Sequence, residues 1–506
     1  MSSAENSPHE RALFNRLPTE ILYLIFNYFA KGKHDHPAEF TAQEVSNMAD
    51  SHSSANQTLG ALALTSRRFH ALVQPILYKT MYLFEGGEHD KLLQTAITTP
   101  QLAGLVTNVI FFEQDQSRNS KKKTRGYRSV YGNGARVPTS DSTDGPVSSQ
   151  GSDKNATMSP RDGLRRLWSE VCRTNEWIER HWNRYTTTTR DAALDLVGLL
   201  CMLPNLKSFR FVGDRIDHNS RGLRPHELIV RGSPTPFQLI FTMAIAATIS
   251  PLLPYTGLHL LRSLEDIEFN GLYLFVWVDF FRTIMILPRL RTLRLTYPTC
   301  LRNETLSPPN NRKSSTIREL RVSMLQLSPG NFSAILAAIE SLEILHYEFY
   351  IRRDTPANAF DPFVSAVETH RSTLKELHFV CRSVTMEHGE LGRFLLRPWC
   401  LADFPKLVIL DIPDILLYNE HAINQSDLLR MLPPCIESLA LAAWFHKTRA
   451  LSMLEQLVIP SEQTRSLKKV TVLDKKGVQP DIWQGLLLIS EQFTSRGISY
   501  DCTRGN

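Results

Sequence analysis

The sequence predicts a mixed α/β chain in which a compact helical module precedes a long solenoid, each repeat pairing a helix with one short strand. Three observations carry this. A beat of the form Leu-x-x-Leu-x-Leu recurs at nearly even spacing, helix-like stretches stand just before its copies, and proline closes several of those stretches. Even spacing over tens of residues is what a chain of stacked, mutually supporting units leaves in a sequence.

The beat reads Leu206-Lys-Ser-Phe209-Arg-Phe211, Leu264-Glu-Asp-Ile267-Glu-Phe269, Leu290-Arg-Thr-Leu293-Arg-Leu295 and Ile317-Arg-Glu-Leu320-Arg-Val322. It continues as Leu342-Glu-Ile-Leu345-His-Tyr347, Leu374-Lys-Glu-Leu377-His-Phe379, Leu407-Val-Ile-Leu410-Asp-Ile412, Ile436-Glu-Ser-Leu439-Ala-Leu441 and Leu467-Lys-Lys-Val470-Thr-Val472. From Leu264 onward the first positions are spaced by 26, 27, 25, 32, 33, 29 and 31 residues, and the interval before Leu264 is 58. That longer interval holds one degenerate repeat. Val106-Thr-Asn-Val109-Ile-Phe111 fits as a tenth copy.

Helical spacing of apolar residues marks 191–203, 280–287, 332–339, 360–370 and 427–432. Leu203-Pro204, Leu287-Pro288 and Leu432-Pro433 end three of these, since proline cannot continue a helix. Each unit therefore reads as helix, turn and strand, with strands stacked in parallel and helices behind them. The pattern resembles leucine-rich repeats with long, helix-bearing units, a resemblance that implies a horseshoe with the strands on its concave side. The Asn or Cys that commonly follows the last Leu of that family's beat is mostly missing, which bears on the repeat subclass.

Charged residues make up 21% of the 506, and the formal net charge is +6. Residues 115–160 hold eight Lys or Arg against four Asp, so most of the excess is local and no nucleic-acid surface is expected. Cys172, Cys201, Cys300, Cys381, Cys400, Cys435 and Cys502 are scattered and odd in number, which points to a reducing compartment without disulfides or structural zinc. Neither a signal peptide nor a prenylation motif is expected, and the expected location is cytoplasm or nucleus. The apolar run 237–253 reads as a buried repeat helix, because it is short for a bilayer and polar residues interrupt it.

The expected organisation is a flexible tail at 1–13, a helical module at 14–82 with a polar insertion at 31–57, and the start of the solenoid at 83–114. A basic, Ser-rich insertion follows at 115–160, too poor in large apolar residues to offset the entropy of ordering. The solenoid resumes over 161–490, with Trp177 and Trp182 packed beneath its first repeats and a capping helix around 483–489. Residues 491–506 read as a C-terminal tail.

In the N-terminal module Pro18 suits the first helical position, and Ile21, Leu22, Ile25, Phe26 and Phe29 form one apolar stripe. Leu59, Leu62 and Leu64 resume the pattern, Thr65 or Ser66 caps the next helix, and Pro75 is expected to stop it. The residues Leu17-Pro18-x-Glu20-Ile21-Leu22-x-x-Ile25-Phe26, Leu62-x-Leu64-Thr65-Ser66-Arg67-Arg68-Phe69-x-x-Leu72-Val73 and Pro75-x-Leu77-Tyr78 resemble the F-box. An F-box ahead of leucine-rich repeats is the order shown by fungal-type F-box/LRR proteins. The resemblance implies a substrate-recognition subunit of a Skp–cullin–F-box-type ubiquitin ligase, a monomer within a complex. Leu17, Pro18, Ile21, Leu22, Leu62, Leu64, Thr65 and Ser66 would meet a Skp-type adaptor, and through it a cullin. The insertion at 31–57 departs from the compact family pattern. The alternative reading is a repeat-protein scaffold without ubiquitin transfer.

Side chains alternate along a strand, so the residue between the last two apolar positions of each beat faces away from the helices. That row reads Arg210, Glu268, Arg294, Arg321, His346, His378, Asp411, Ala440 and Thr471. Glu268, Arg294, Arg321, His346 and His378 are the candidate contacts for a protein substrate. Arg294 and Arg321 suit an acidic or phosphorylated segment, and the alternative is a solvated sheet face with local Arg–Glu pairs. No nucleophile with a base beside it, phosphate loop or metal-ligand spacing stands out, and His34-Asp-His36 reads as a solvated loop. The expectation is therefore a non-catalytic protein with no cofactor, no metal and no membrane contact. Lys121–Arg128 fits a nuclear import signal as well as it fits a solvated loop.

Overall fold

All ten copies of the beat lie on short strands of the computed structural model, one strand per copy, and within each compact unit each strand runs parallel to the next. The structure describes residues 18–22, 57–84, 89–112, 187–212, 241, 244, 261–270, 284–296, 315–325, 329–351, 360–383, 399–417, 428–443, 447–459, 464–474 and 480–504. They belong to two compact units, one comprising residues 1–221 and 254–261, the other residues 222–253 and 262–506. Leu17, residues 31–56 of the insertion at 31–57, the insertion at 115–160, His34, His36, Trp177, Trp182 and the import-like Lys121–Arg128 lie outside the described residues, while Gln57 already opens a helical stretch. So does nearly all of 237–253, where Phe241 and Ala244 alone are described, both helical and buried.

The first unit begins with helical residues 19–22 and 57–65 and continues as α1 (Arg67–Lys79), β1 (Thr80–Phe84), α2 (His89–Thr98), α3 (Pro100–Ala103), β2 (Asn108–Phe112), α4 (Thr187–Cys201) and β3 (Ser208–Val212). Its strands pair in parallel as β1–β2–β3, with Leu83, Phe111 and Phe211 aligned. Strand β1 differs from the expected boundary at residue 82. Tyr78-Lys-Thr-Met81-Tyr-Leu83 takes the place of a beat one repeat earlier, its first position filled by Tyr. Helix α1 also runs through Pro75, where the sequence suggested a stop. Val73 and Ile76 on either side are buried, and this packing carries the helix across the one hydrogen bond that proline removes.

The second unit contains β4 (Asp266–Asn270), β5 (Thr292–Thr296), β6 (Glu319–Leu325), α5 (Pro329–Ala338), β7 (Ile344–Ile351), α6 (Asp361–Glu368), β8 (Glu376–Ser383) and β9 (Ile409–Pro413). It closes with α7 (Asp414–Leu417), α8 (Leu428–Met431), β10 (Ser438–Ala443), α9 (Lys447–Val458), β11 (Lys469–Asp474), α10 (Pro480–Ser495) and β12 (Ser499–Arg504). Consecutive strands from β4 to β12 pair in parallel, as a solenoid with one strand per repeat requires. Residues 491–506, expected as a tail, hold the last turn of α10 and strand β12. Tyr500 and Cys502 align with Val470 and Val472, so the chain extends the sheet once more with a weak copy of the beat. Gly497 takes the first position of that copy at φ 73, a left-handed conformation that suits glycine.

The three apolar positions of each beat form the core. Leu264, Leu290, Ile317, Leu342, Leu374 and Leu407 are all fully buried, as are Leu293, Leu320, Leu345, Leu377 and Leu410. Helices α5 and α6 cover the strands through aromatic rings: Phe332 stacks on Tyr347 at 4.0 Å, and Phe363 lies 4.9 Å from Phe379 and 5.1 Å from Tyr347.

Two hydrogen-bonding devices hold neighbouring repeats in register. The carbonyl of the second residue of a beat accepts from two successive N–H groups of the next repeat. Thr107, Glu265, Arg291, Arg318, Glu343, Lys375, Val408 and Glu437 all do so, at 2.7–3.1 Å. In three repeats the residue before the beat adds a side-chain bond to the first carbonyl of the previous beat. Thr316 donates to Leu290 at 2.9 Å, Thr373 to Leu342 at 2.8 Å and the Cys435 thiol to Leu407 at 3.3 Å.

Candidate functional site

Two surfaces collect the residues singled out by sequence, one in each unit. In the first, Leu22, Leu59, Phe69, Val73 and Ile76 make a small core against which Leu62, Ala63, Leu72 and Leu77 pack. Ser66 stands in extended conformation at the start of α1 and accepts from the Phe69 N–H at 3.1 Å, an N-cap that satisfies one of the helix's unpaired donors. Thr65 donates to the Leu62 carbonyl at 2.7 Å and closes the preceding helix. Arg68 donates to the Thr19 hydroxyl at 3.3 Å and ties residues 18–22 to α1.

The predicted adaptor set thus divides. Leu22 belongs to the core, while Leu62 and Ser66 are half-buried and serve the module's own packing and capping. Pro18, Ile21, Leu64 and Thr65 stand in solvent, with Ile21 43% and Leu64 88% exposed. A leucine this exposed gains nothing from its own fold, so it is available for burial against something else.

The second surface is the sheet face turned away from the helices. Register places Glu268, Arg294, Arg321, His346, His378 and Asp411 side by side on β4 to β9, one residue per strand. The sequence row is thus a physical row. What sequence reasoning missed is Glu319, two residues before Arg321 and therefore on the same face. Its Oε1 accepts from Arg294 Nη2 at 2.9 Å, Arg294 Nε at 3.1 Å and Arg321 Nε at 2.7 Å. Arg294 also lies 3.9 Å from Glu268. The period-two rule that aligned the row would also have found Glu319, had the third position of each beat been read with the fifth.

On β7 to β9 the row changes character. The His346 and His378 rings lie 5.5 Å apart at 31°. His378 Nδ1 is 3.7 Å from Asp411 and its Nε2 is 3.8 Å from Glu376. Burial, helped by the nearby His378 and Arg321 and opposed by Asp411, holds the His346 imidazole down to about 4, so it is neutral near pH 7. Among the described residues no group of His, Cys, Asp and Glu is arranged to hold a metal ion, and no helix is long and apolar enough to cross a membrane.

A lower rim of charges runs along the second position of the beat. Glu343 accepts from Arg318 at 2.9 Å and from Lys375 at 2.6 Å, and these two cations hold its carboxyl below the usual range. Glu437 and Lys468 pair at 2.7 Å further along. These pairs are partly exposed and contribute little individually.

No protein-family model matches the chain, and no curated protein matches it.

Proposed function

We propose that this chain is a substrate-recognition subunit of a Skp–cullin–F-box-type ubiquitin ligase, its N-terminal module docking a Skp-type adaptor and its repeats holding a protein substrate. The observation that carries the reading is the division of the F-box-like residues. The module buries Leu22, Phe69 and Val73 as its own core but leaves Ile21 and Leu64 in solvent, at positions where the resembled motif meets its adaptor. Docking would be an apolar helix-in-groove contact, in which a few exposed anchors carry most of the affinity. The chain itself performs no bond chemistry in this reading. Ubiquitin transfer is supplied in trans, and the chain's contribution is to hold substrate near it.

The test is co-purification of the full chain with a Skp-type adaptor, comparing wild type with a Pro18→Ala/Leu64→Ala variant. Recovery should fall about tenfold in the variant, the loss expected when one apolar anchor of about 1.4 kcal/mol is removed. Circular dichroism should be unchanged, because both positions are exposed. A wild-type chain that folds and recovers no adaptor would instead make it a repeat-protein scaffold without ubiquitin transfer.

A further inference from the structure

We propose that the outer sheet face of β4 to β9 receives a basic segment of a partner protein, whose Arg or Lys side chains seat at Glu376 and Asp411. This rests on the reading of the repeats as the substrate-holding part and names the chemistry of what they hold. The third and fifth positions of the beat on these six strands carry five carboxylates, Asp266, Glu268, Glu319, Glu376 and Asp411, against two guanidiniums, Arg294 and Arg321. The face is therefore acidic by three charges on a chain whose net charge is +6. Both guanidiniums are already engaged within the sheet, converging on Glu319. A phosphorylated or acidic segment would have to displace that carboxylate to reach them.

The β8–β9 end has the opposite character. Glu376 and Asp411 flank the His378 ring at 3.8 and 3.7 Å, beyond hydrogen-bond length, and their side chains are 31% and 19% exposed. The neighbouring His346 adds no positive charge near pH 7. Across β10 the register neighbour of Asp411 is Ala440, whose methyl group brings no charge to the carboxylate on that flank. A guanidinium or ammonium over His378 gains two partly desolvated carboxylates and the face of an imidazole. Such complementarity sets specificity and association rate more than raw affinity.

The experiment is fluorescence anisotropy of the full chain with labelled peptides of alternating Arg-Gly, Glu-Gly and Ser-Gly, without adaptor, so that loss of adaptor docking leaves it untouched. The Arg-Gly peptide should bind best. Its affinity should fall about tenfold in Glu376→Gln/Asp411→Asn, stay unchanged in Glu437→Gln on the rim, and weaken with salt. The single variant Glu376→Gln, at a half-exposed site, provides the same test if the double variant folds poorly. Preference for Glu-Gly, or an Arg-Gly affinity that survives neutralisation of Glu376 and Asp411, would overturn the proposal.

Discussion

His346 shows how one side chain links fold and pH on this surface. In the folded chain burial holds its imidazole near 4, whereas in the unfolded chain it returns to about 6.5. As pH falls through 6.5 the unfolded state takes up the proton first, so stability declines between about pH 6.5 and 4 and levels off below. One pKa unit corresponds to about 1.4 kcal/mol, so the loss from this residue is on the order of 3 kcal/mol. Urea unfolding of wild type and His346→Gln at a series of pH values checks this. The difference between the two should shrink as pH falls from 7.5 to 4.5, and a pH-independent difference would assign the effect to another group. Glu319 teaches a related lesson at the same scale. A charge two residues from a row is part of that row, and here it decides that two arginines are paired rather than open.

At the scale of the element, what matters is how one repeat is fastened to the next. The residue before the beat takes over a fastening role, with Thr316, Thr373 and Cys435 donating to the first carbonyl of the previous beat. Thr373→Val keeps the shape and removes the donor, leaving a part-buried carbonyl unsatisfied, so it should cost about 1 kcal/mol in denaturant unfolding. Thr316→Val should cost a similar amount and add to it, since the two bonds share no partner. The aromatic layer under β7 and β8 contributes more. Phe363 is 1% exposed and touches Phe332, Tyr347, Phe379 and Trp399. Phe363→Ala should therefore cost about 3–5 kcal/mol, measured by the shift in urea midpoint. A cost near 1 kcal/mol would mean that the layer collapses into the gap.

Seen whole, the chain is two α/β units that each stack strands in sequence order, with a small helical module at the head of the first. Within each unit the described strands pair with their neighbours in the chain, so local sequence carries an unusual share of the architecture. Ten of the strands were legible from the beat because every repeat buries the same three positions, and burial keeps those positions apolar. The two end strands were harder to see. Strand β1 begins its beat with Tyr78 and β12 with Gly497, because a terminal repeat is covered on one side alone and need not keep a full set of leucines. Helix α1 was misread at Pro75, because a proline's local penalty is visible in sequence while the packing that absorbs it is not.

What the sequence determined by itself is therefore whatever repeats or caps: the strand positions, their parallel order, the identity of the outward row and a cap at Thr65 or Ser66, between which the structure chose Ser66. These depend on spacings of a few residues, which the chain records directly. Tertiary structure alone decided which F-box-like residues are spent on the module's own core and which stay in solvent. It alone showed that Arg294 and Arg321 converge on Glu319, and that Glu376 and Asp411 flank His378. Those facts depend on distances between side chains of different elements. No spacing along one chain encodes such a distance, because the turns and helices between repeats vary in length while the sheet brings their strands to a common register.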